Sequence, residues 1–309
     1  MSGHPDVLPW LRAADPSSAY LAARDLEDRD DPVLRSAIAD SGVGAALLGY
    51  RRSDGHWGSG FALPQWTSTH DTVLELAGLG LDPGDPRATS SVRMVLEAPR
   101  CADGGLRVSP TAHRSDVCIN GMALTYCSRF GAQTPLLAGL IDAILAERMA
   151  DGGFNCRSTR SGATHSSVHS TTSVIEGFTA YLSAGHAYRA DEVAGARAEA
   201  IEFLLVHRLF RSHRTGQVIR PEFTRLHHPA RWRFDVLRGL DAVTAAGVVA
   251  DERLSDGLDV LRRRRRADGR WAGARGYPGA THVEYPASRE PNPWITVIAL
   301  RILRRVGVD

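Results

Sequence analysis

The chain has 309 residues, which allows one large domain or two ordinary ones with a substantial core. Hydrophobic residues at 43% and charged residues at 23% describe an ordinary globular protein, and a net charge of +2 gives no whole-chain electrostatic case for a nucleic-acid partner. Every basic side chain other than histidine is Arg, a usage that a GC-rich bacterial genome accounts for; with no Lys present, lysine Schiff-base chemistry and the P-loop lysine are excluded. The N-terminal stretch "MSGHPDVLPWLRAADPSS" lacks the basic and apolar regions of a signal peptide. No apolar run reaches the roughly 18 residues of a membrane span. Cys101, Cys118, Cys127 and Cys156 are too few for a disulfide framework and read as reduced thiols in a cytoplasm.

In chain order, residues 1–50 supply extra helices, and residues 51–309 are organised by a repeat. "SDGHWGS" from 53, "ADGGLRVS" from 102, "ADGGFNCR" from 150 and "ADGRWAG" from 267 are variants of one Asp-Gly turn followed by Leu or an aromatic. "HRTGQVI" at 213–219 falls near the middle of the widest gap as a degenerate copy, which makes five units. A helix-period run precedes each turn: "GVGAALLGYRR", "SSVRMVLEAPR", "LLAGLIDAILAERM", "AEAIEFLLVHRLF" and "LSDGLDVLRRRRR". A polar loop follows the turn, and then a more apolar helix: "DTVLELAGLGL", "DVCINGMALTYCSRFG", "STTSVIEGFTAYLSAG", "WRFDVLRGLDAVTAAG" and "NPWITVIALRILRRVG". Most of these end at a Gly of the C′ type. Such hairpins cannot bury their apolar faces singly, so they must stack. We expect one all-α domain over 1–309, closed into a double ring with the 1–50 helices completing it.

Asp-Gly-x-Trp turns about every 50 residues, between an outer and an inner helix, resemble the α/α toroids of the squalene and terpene cyclases and of protein prenyltransferase β subunits. The ends of inner helices line one mouth of such a ring. Asp116 and Cys118 lie where "RSDVCINGM" enters an inner helix, and in extended backbone residues i and i+2 point the same way. Cys118 is then a buried thiol or half of a chelate. His169 opens the next inner helix; with Asp116 and Cys118 it forms an O, S, N set suited to Zn²⁺. Prenyltransferase β subunits bind catalytic zinc with an Asp-x-Cys pair and a later His, so the resemblance implies zinc at Asp116, Cys118 and His169. Cys156 and His165 are candidates for a fourth ligand or a supporting hydrogen bond. His70, Asp71, His113, Arg114, Arg231, Trp232 and Arg233 are candidates to line the cavity and bind substrate.

The expected activity is that of a zinc-dependent transferase, activating a thiol or water and moving an isoprenoid; its substrate is a small molecule, either an isoprenoid or a thiol, and the need for a partner subunit stays open. Its rivals are a metal-free cyclase and a ligand-binding toroid with structural zinc. "DRDD" at 28–31 matches the Asp-x-Asp-Asp string of class II terpene cyclases, but its position before Pro32 reads as N-cap chemistry. "RRRRR" at 262–266 reads as a solvated helix end. In "HHPARWRFD", Arg231 and Arg233 either face a ligand anion or pair with Asp235. Trp57 and Trp271, in the turns, read as locks between repeats.

Overall fold

The computed structural model describes residues 7–308, apart from the side chains of residues 159 and 160. Among the described residues the helices are α1 Val7–Ala14, α2 Pro16–Leu26, α3 Pro32–Asp40, α4 Gly42–Gly49, α5 Thr69–Leu79, α6 Pro86–Glu97, α7 Val117–Arg129, α8 Thr134–Ala146, α9 Arg157–Ser161, α10 Val168–Ser183, α11 Ala190–Val206, α12 Val236–Ala245, α13 Ser255–Arg264 and α14 Pro293–Arg305. Extended pairing among them is limited to isolated bridges such as Arg100 with Leu106. Helices α2, α5, α7, α10, α12 and α14 pack in that cyclic order, and α14 returns to α2. Around this inner ring lie α1, α4, α6, α8, α11 and α13. The fold is an all-α α/α toroid.

The sequence repeat has a repeated hydrogen-bond basis. At Gly55, Gly104, Gly152 and Gly269 the chain turns with φ of +87°, +84°, +86° and +79°, a conformation that a Cβ disfavours. The next residue but one then donates its backbone N–H to a side-chain oxygen in the first turns of the following inner helix: Trp57 to Thr69, Leu106 to Asn120, Phe154 to Thr171 and Trp271 to Thr296, each at 3.0 Å. Trp57 and Trp271 also donate their indole N–H to the preceding outer helix, at Leu47 O (2.7 Å) and Leu261 O (2.8 Å). The first and last of these turns thereby tie outer helix to inner helix by side-chain hydrogen bonds. The short connections at the opposite face begin, just past each inner helix, with left-handed Gly80, Gly131, Gly185 and Gly247.

Asp31 caps α3, accepting from Val33 N (3.0 Å) and Leu34 N (3.2 Å), so the "DRDD" string is helix-start chemistry. The last helix meets the first across the seam of the ring. Trp294 Nε1 donates to Ser17 Oγ at 2.7 Å, and Arg301 bridges Asp241 on α12 and Asp25 on α2. Against the cost of burial, Arg301 and Arg305 hold Asp241 below the usual carboxylate range.

Helices α7 and α10 make the closest crossing. A Cβ on Gly177 would stand 2.4 Å from Gly121 O, and one on Gly121 would stand 2.7 Å from Ser173 O, so two backbones touch where most helices interpose side chains. Gly177→Ala should therefore cost about 3 kcal/mol, the upper end of core overpacking. Gly195→Ala, on α11 with nothing within 4 Å, should raise stability by about 0.5–1 kcal/mol. Urea denaturation of both variants checks the pair; equal effects would mean that the backbones do not meet.

Candidate functional site

Because outer and inner helices alternate, the inner helices run in parallel and their N-termini gather at one mouth, under the long post-turn loops. Their N-cap residues are Asp15, Ser68, Asp116, Ser167, Asp235 and Asn292. Four cap with a side-chain oxygen, whereas Asp116 and Ser167 make no side-chain cap bond.

The expected zinc triad does not assemble. Among the described residues no group of three or more His, Cys, Asp or Glu side chains is arranged to hold a metal ion. The reason lies in where two helices start. Asp116 is extended (φ −96°, ψ 117°), but α7 begins at Val117, so Cys118 is already helical and the i, i+2 alignment is lost. Its thiol hydrogen-bonds with that of Cys156, and its backbone N–H donates to Cys156 Sγ at 3.3 Å. His169 turns toward the following repeat instead. Its Nδ1 accepts the Phe234 N–H at 2.8 Å, and the ring stands edge-on to Phe223 and Trp232. His165 is exposed and touches the turn through its backbone, where its carbonyl accepts from Asn155 Nδ2 at 2.7 Å.

The cavity candidates separate in the same way. His113 and Arg114 are exposed, and Arg114 pairs with Glu147 at 2.8 Å. Asp235 pairs with an imidazole rather than an arginine. It accepts from His227 N (2.9 Å), lies 3.1 Å from His227 Nδ1, and caps α12 through Arg238 N (3.0 Å). Arg233 lies between the rings of Trp232 and Tyr277, at 4.6 and 4.8 Å, with no partner for its buried Nε among the described residues. Asp71 accepts from Trp66 N (2.9 Å) and Ser68 Oγ (2.8 Å), which fixes the loop before α5.

Arg231 leads to a residue that the sequence did not single out. Its guanidinium, over the Trp66 ring at 5.5 Å, donates to Glu75. Tyr285 Oη donates to the other oxygen of the same carboxylate. α5 and the segment entering α12 occupy opposite positions in the ring, so this cluster spans the mouth. Burial pushes the Glu75 carboxyl above its ordinary proton affinity, against the pull of Arg231 and Tyr285. Asp25, Asp85, Asp241 and Asp251 move the other way, held down by arginine partners. Tyr285 in turn stands edge-on to His228 and Trp294, which are stacked at 5.2 Å and 4°. His70 is buried five residues before Glu75 on α5, its Nδ1 3.4 Å from Tyr126 Oη. The Nε2 atoms of His70 and His228 are buried without partners among the described residues, and burial holds His228 down to about 3. A depression lined by Thr89, Arg93, Met94 and Glu97 lies on α6 alone and gathers no such set.

No family model and no curated protein matches the chain. Among solved structures it is similar to one described as a glycosyl hydrolase family 88 protein from Bacteroides vulgatus, at 10% identity over 99% of both chains with a TM-score of 0.59. It is also similar to a protein from Actinoplanes, at 15% identity over 99% of this chain and 98% of that one, with a TM-score of 0.53. At such identities the likeness shows a shared fold. It overturns the expected kinship with terpenoid cyclases and prenyltransferases, and with it zinc-dependent prenyl transfer. The interior agrees with that correction. An isoprenoid needs an apolar cavity, whereas Glu75–Arg231 crosses this mouth and Glu176–Arg238 links α10 to α12.

The His169 contact sets a pH dependence. Burial, with Arg238, Arg220 and Arg233 nearby, lowers its pKa to about 4. A histidine kept neutral in the fold contributes stability that is present above its unfolded value near 6.5 and is lost as pH falls toward 4. His169→Asn, which keeps an acceptor for Phe234 N–H, should flatten the fall of Tm between pH 6.5 and 4 by about one proton taken up on unfolding. An unchanged pH profile of Tm would refute the assignment.

Proposed function

We propose that the chain is an enzyme acting on glycosides at this mouth, with Glu75 as the proton donor. The observation that carries the reading is a buried carboxyl, Glu75, in a polar cluster at the convergence of the inner helices, where burial raises its proton affinity. A carboxyl group whose proton affinity is raised is suited to protonating a departing sugar oxygen. Asp71 lies one helical turn before Glu75 on α5, in the position of a second carboxylate. The half-buried ring of Tyr285 suits the apolar face of a pyranose ring, while Arg233, whose Nε has no partner among the described residues, suits an anionic sugar substituent. The glycosyl hydrolase among the fold neighbours supports the same reaction class. For Glu75 to act, Tyr285 and Arg231 must release it as substrate enters.

A second reading is favoured by that same double tie: a saccharide-binding toroid in which Glu75 is a fixed strut. Turnover of aryl glycosides, neutral and uronic, separates the two. The enzyme reading expects hydrolysis of at least one substrate and a loss of about 10²–10⁴-fold in kcat for Glu75→Gln with the fold intact. Saccharide binding without turnover, retained in Glu75→Gln, would establish the second reading; neither binding nor turnover would sink both.

The acid form must be present for turnover, so kcat should fall as pH rises through the Glu75 pKa. Arg231→Met removes the cation that opposes its protonation. It should move that alkaline limb to higher pH; a limb that stays in place would show that another group sets it.

A further inference from the structure

Cys156 and Cys118, 38 residues apart in sequence, are brought together where α7 begins. Cys156 follows the third Asp-Gly turn, and its sulfur takes the place of a missing cap. Asp116, at the N-cap position of α7, makes no side-chain cap bond, and the N–H of Cys118 in the first turn donates to Cys156 Sγ instead. A sulfur there faces the positive end of a 13-residue helix. It also lies 3.4 Å from Ser170 Oγ, which in turn accepts the Cys156 N–H at 3.3 Å. The Cys118 thiol is a further hydrogen-bond neighbour. Both cysteines are half-buried, whereas Cys101 and Cys127 are buried in the core.

We infer that Cys156 and Cys118 form a redox-active dithiol that exchanges with low-molecular-weight disulfides, Cys156 attacking and Cys118 resolving. The asymmetry of the pair fixes the roles. The hydrogen bond from Cys118 draws the Cys156 thiol below its ordinary range and pushes Cys118 well above its own. Burial raises Cys101 and Cys127, which leaves them poor nucleophiles.

In the first step the Cys156 thiolate attacks one sulfur of a disulfide RSSR. A Cys156–SR bond forms, the S–S bond breaks, and the departing thiolate takes the Cys118 proton to leave as RSH. In the second, the Cys118 thiolate attacks Cys156 Sγ and expels the other RS⁻, which takes a proton from water. The protein loses two electrons to the small disulfide, and two thiols are released. The Cys118–Cys156 bond links the start of α7 to the turn before α10, a covalent strap beside the mouth.

The test uses the full chain, reduced, desalted into buffer with chelator and incubated with oxidised glutathione. Intact mass and peptide mapping are the readouts. The wild type should lose the mass of two hydrogen atoms, with Cys118 linked to Cys156 and with Cys101 and Cys127 still alkylatable. Cys118→Ser should instead hold one glutathionyl group on Cys156, and Cys156→Ser should react about tenfold more slowly or less. Glutathionylation at Cys101 or Cys127 as fast as at Cys156 would overturn the inference, as would wild-type protein in which neither Cys118 nor Cys156 reacts. The wild-type map decides the matter even if a serine variant fails to fold.

Discussion

Four hairpins depend on one hydrogen bond, from the backbone N–H just past the Asp-Gly turn to an oxygen in the first turns of the next inner helix. It is buried in every copy, where an unmade bond is costly. Its geometry sets how far the chain travels between turning out of the outer helix and starting the inner one. In the second unit the turn aspartate reinforces it: Asp103 accepts Gly105 N within its own turn and Ser115 N at the approach to α7. In the third, Asp151 reaches Ser166 N before α10. With turn and helix start fixed together, the inner helices point the same way and their N-termini converge. The mouth is therefore a consequence of the hairpin.

Within the mouth, polarity is managed by pairing. Glu75 with Arg231 and Tyr285 across the ring, and Asp235 with His227 within the segment entering α12, satisfy groups whose isolated burial would be expensive. The Nε2 atoms of His70 and His228, unpartnered among the described residues, stand out against that economy. The loop carrying Tyr285 is stitched to the α5 side as well: Trp66 Nε1 donates to Pro278 O, and His282 Nε2 lies 3.0 Å from Thr67 O. Access to Glu75 is thus governed by residues 277–285 as much as by the helices.

The toroid was legible because its determinants are local and periodic. An Asp-Gly turn, a helical period and a C-terminal Gly need no partner elsewhere in the chain. The site was less legible because its determinants are not local. Glu75 is an acid inside an apolar helical run, one turn after Asp71, and that spacing was the available signal; its partners are 156 and 210 residues away. Cys118 and Cys156 were both visible as candidates, but a helix beginning at Val117 turned a supposed chelate into a thiol pair. His169 was correctly placed at a helix start, yet its ring direction is set by Phe234, 65 residues on. The metal motif matched residue types in order, whereas chelation is decided by direction. A fold read from its repeat does not by itself name a chemistry.

The seam where α14 meets α2 gives the ring a property that an open stack of the same hairpins would lack. Trp294 reaches a serine 277 residues earlier, a contact available only after every intervening hairpin is in place. An open array gains stability unit by unit and frays from its ends. Closure removes the ends and makes the final increment conditional on all the others, so cooperativity comes from the topology itself. It also brings the slow folding of a chain that must close its longest loop last.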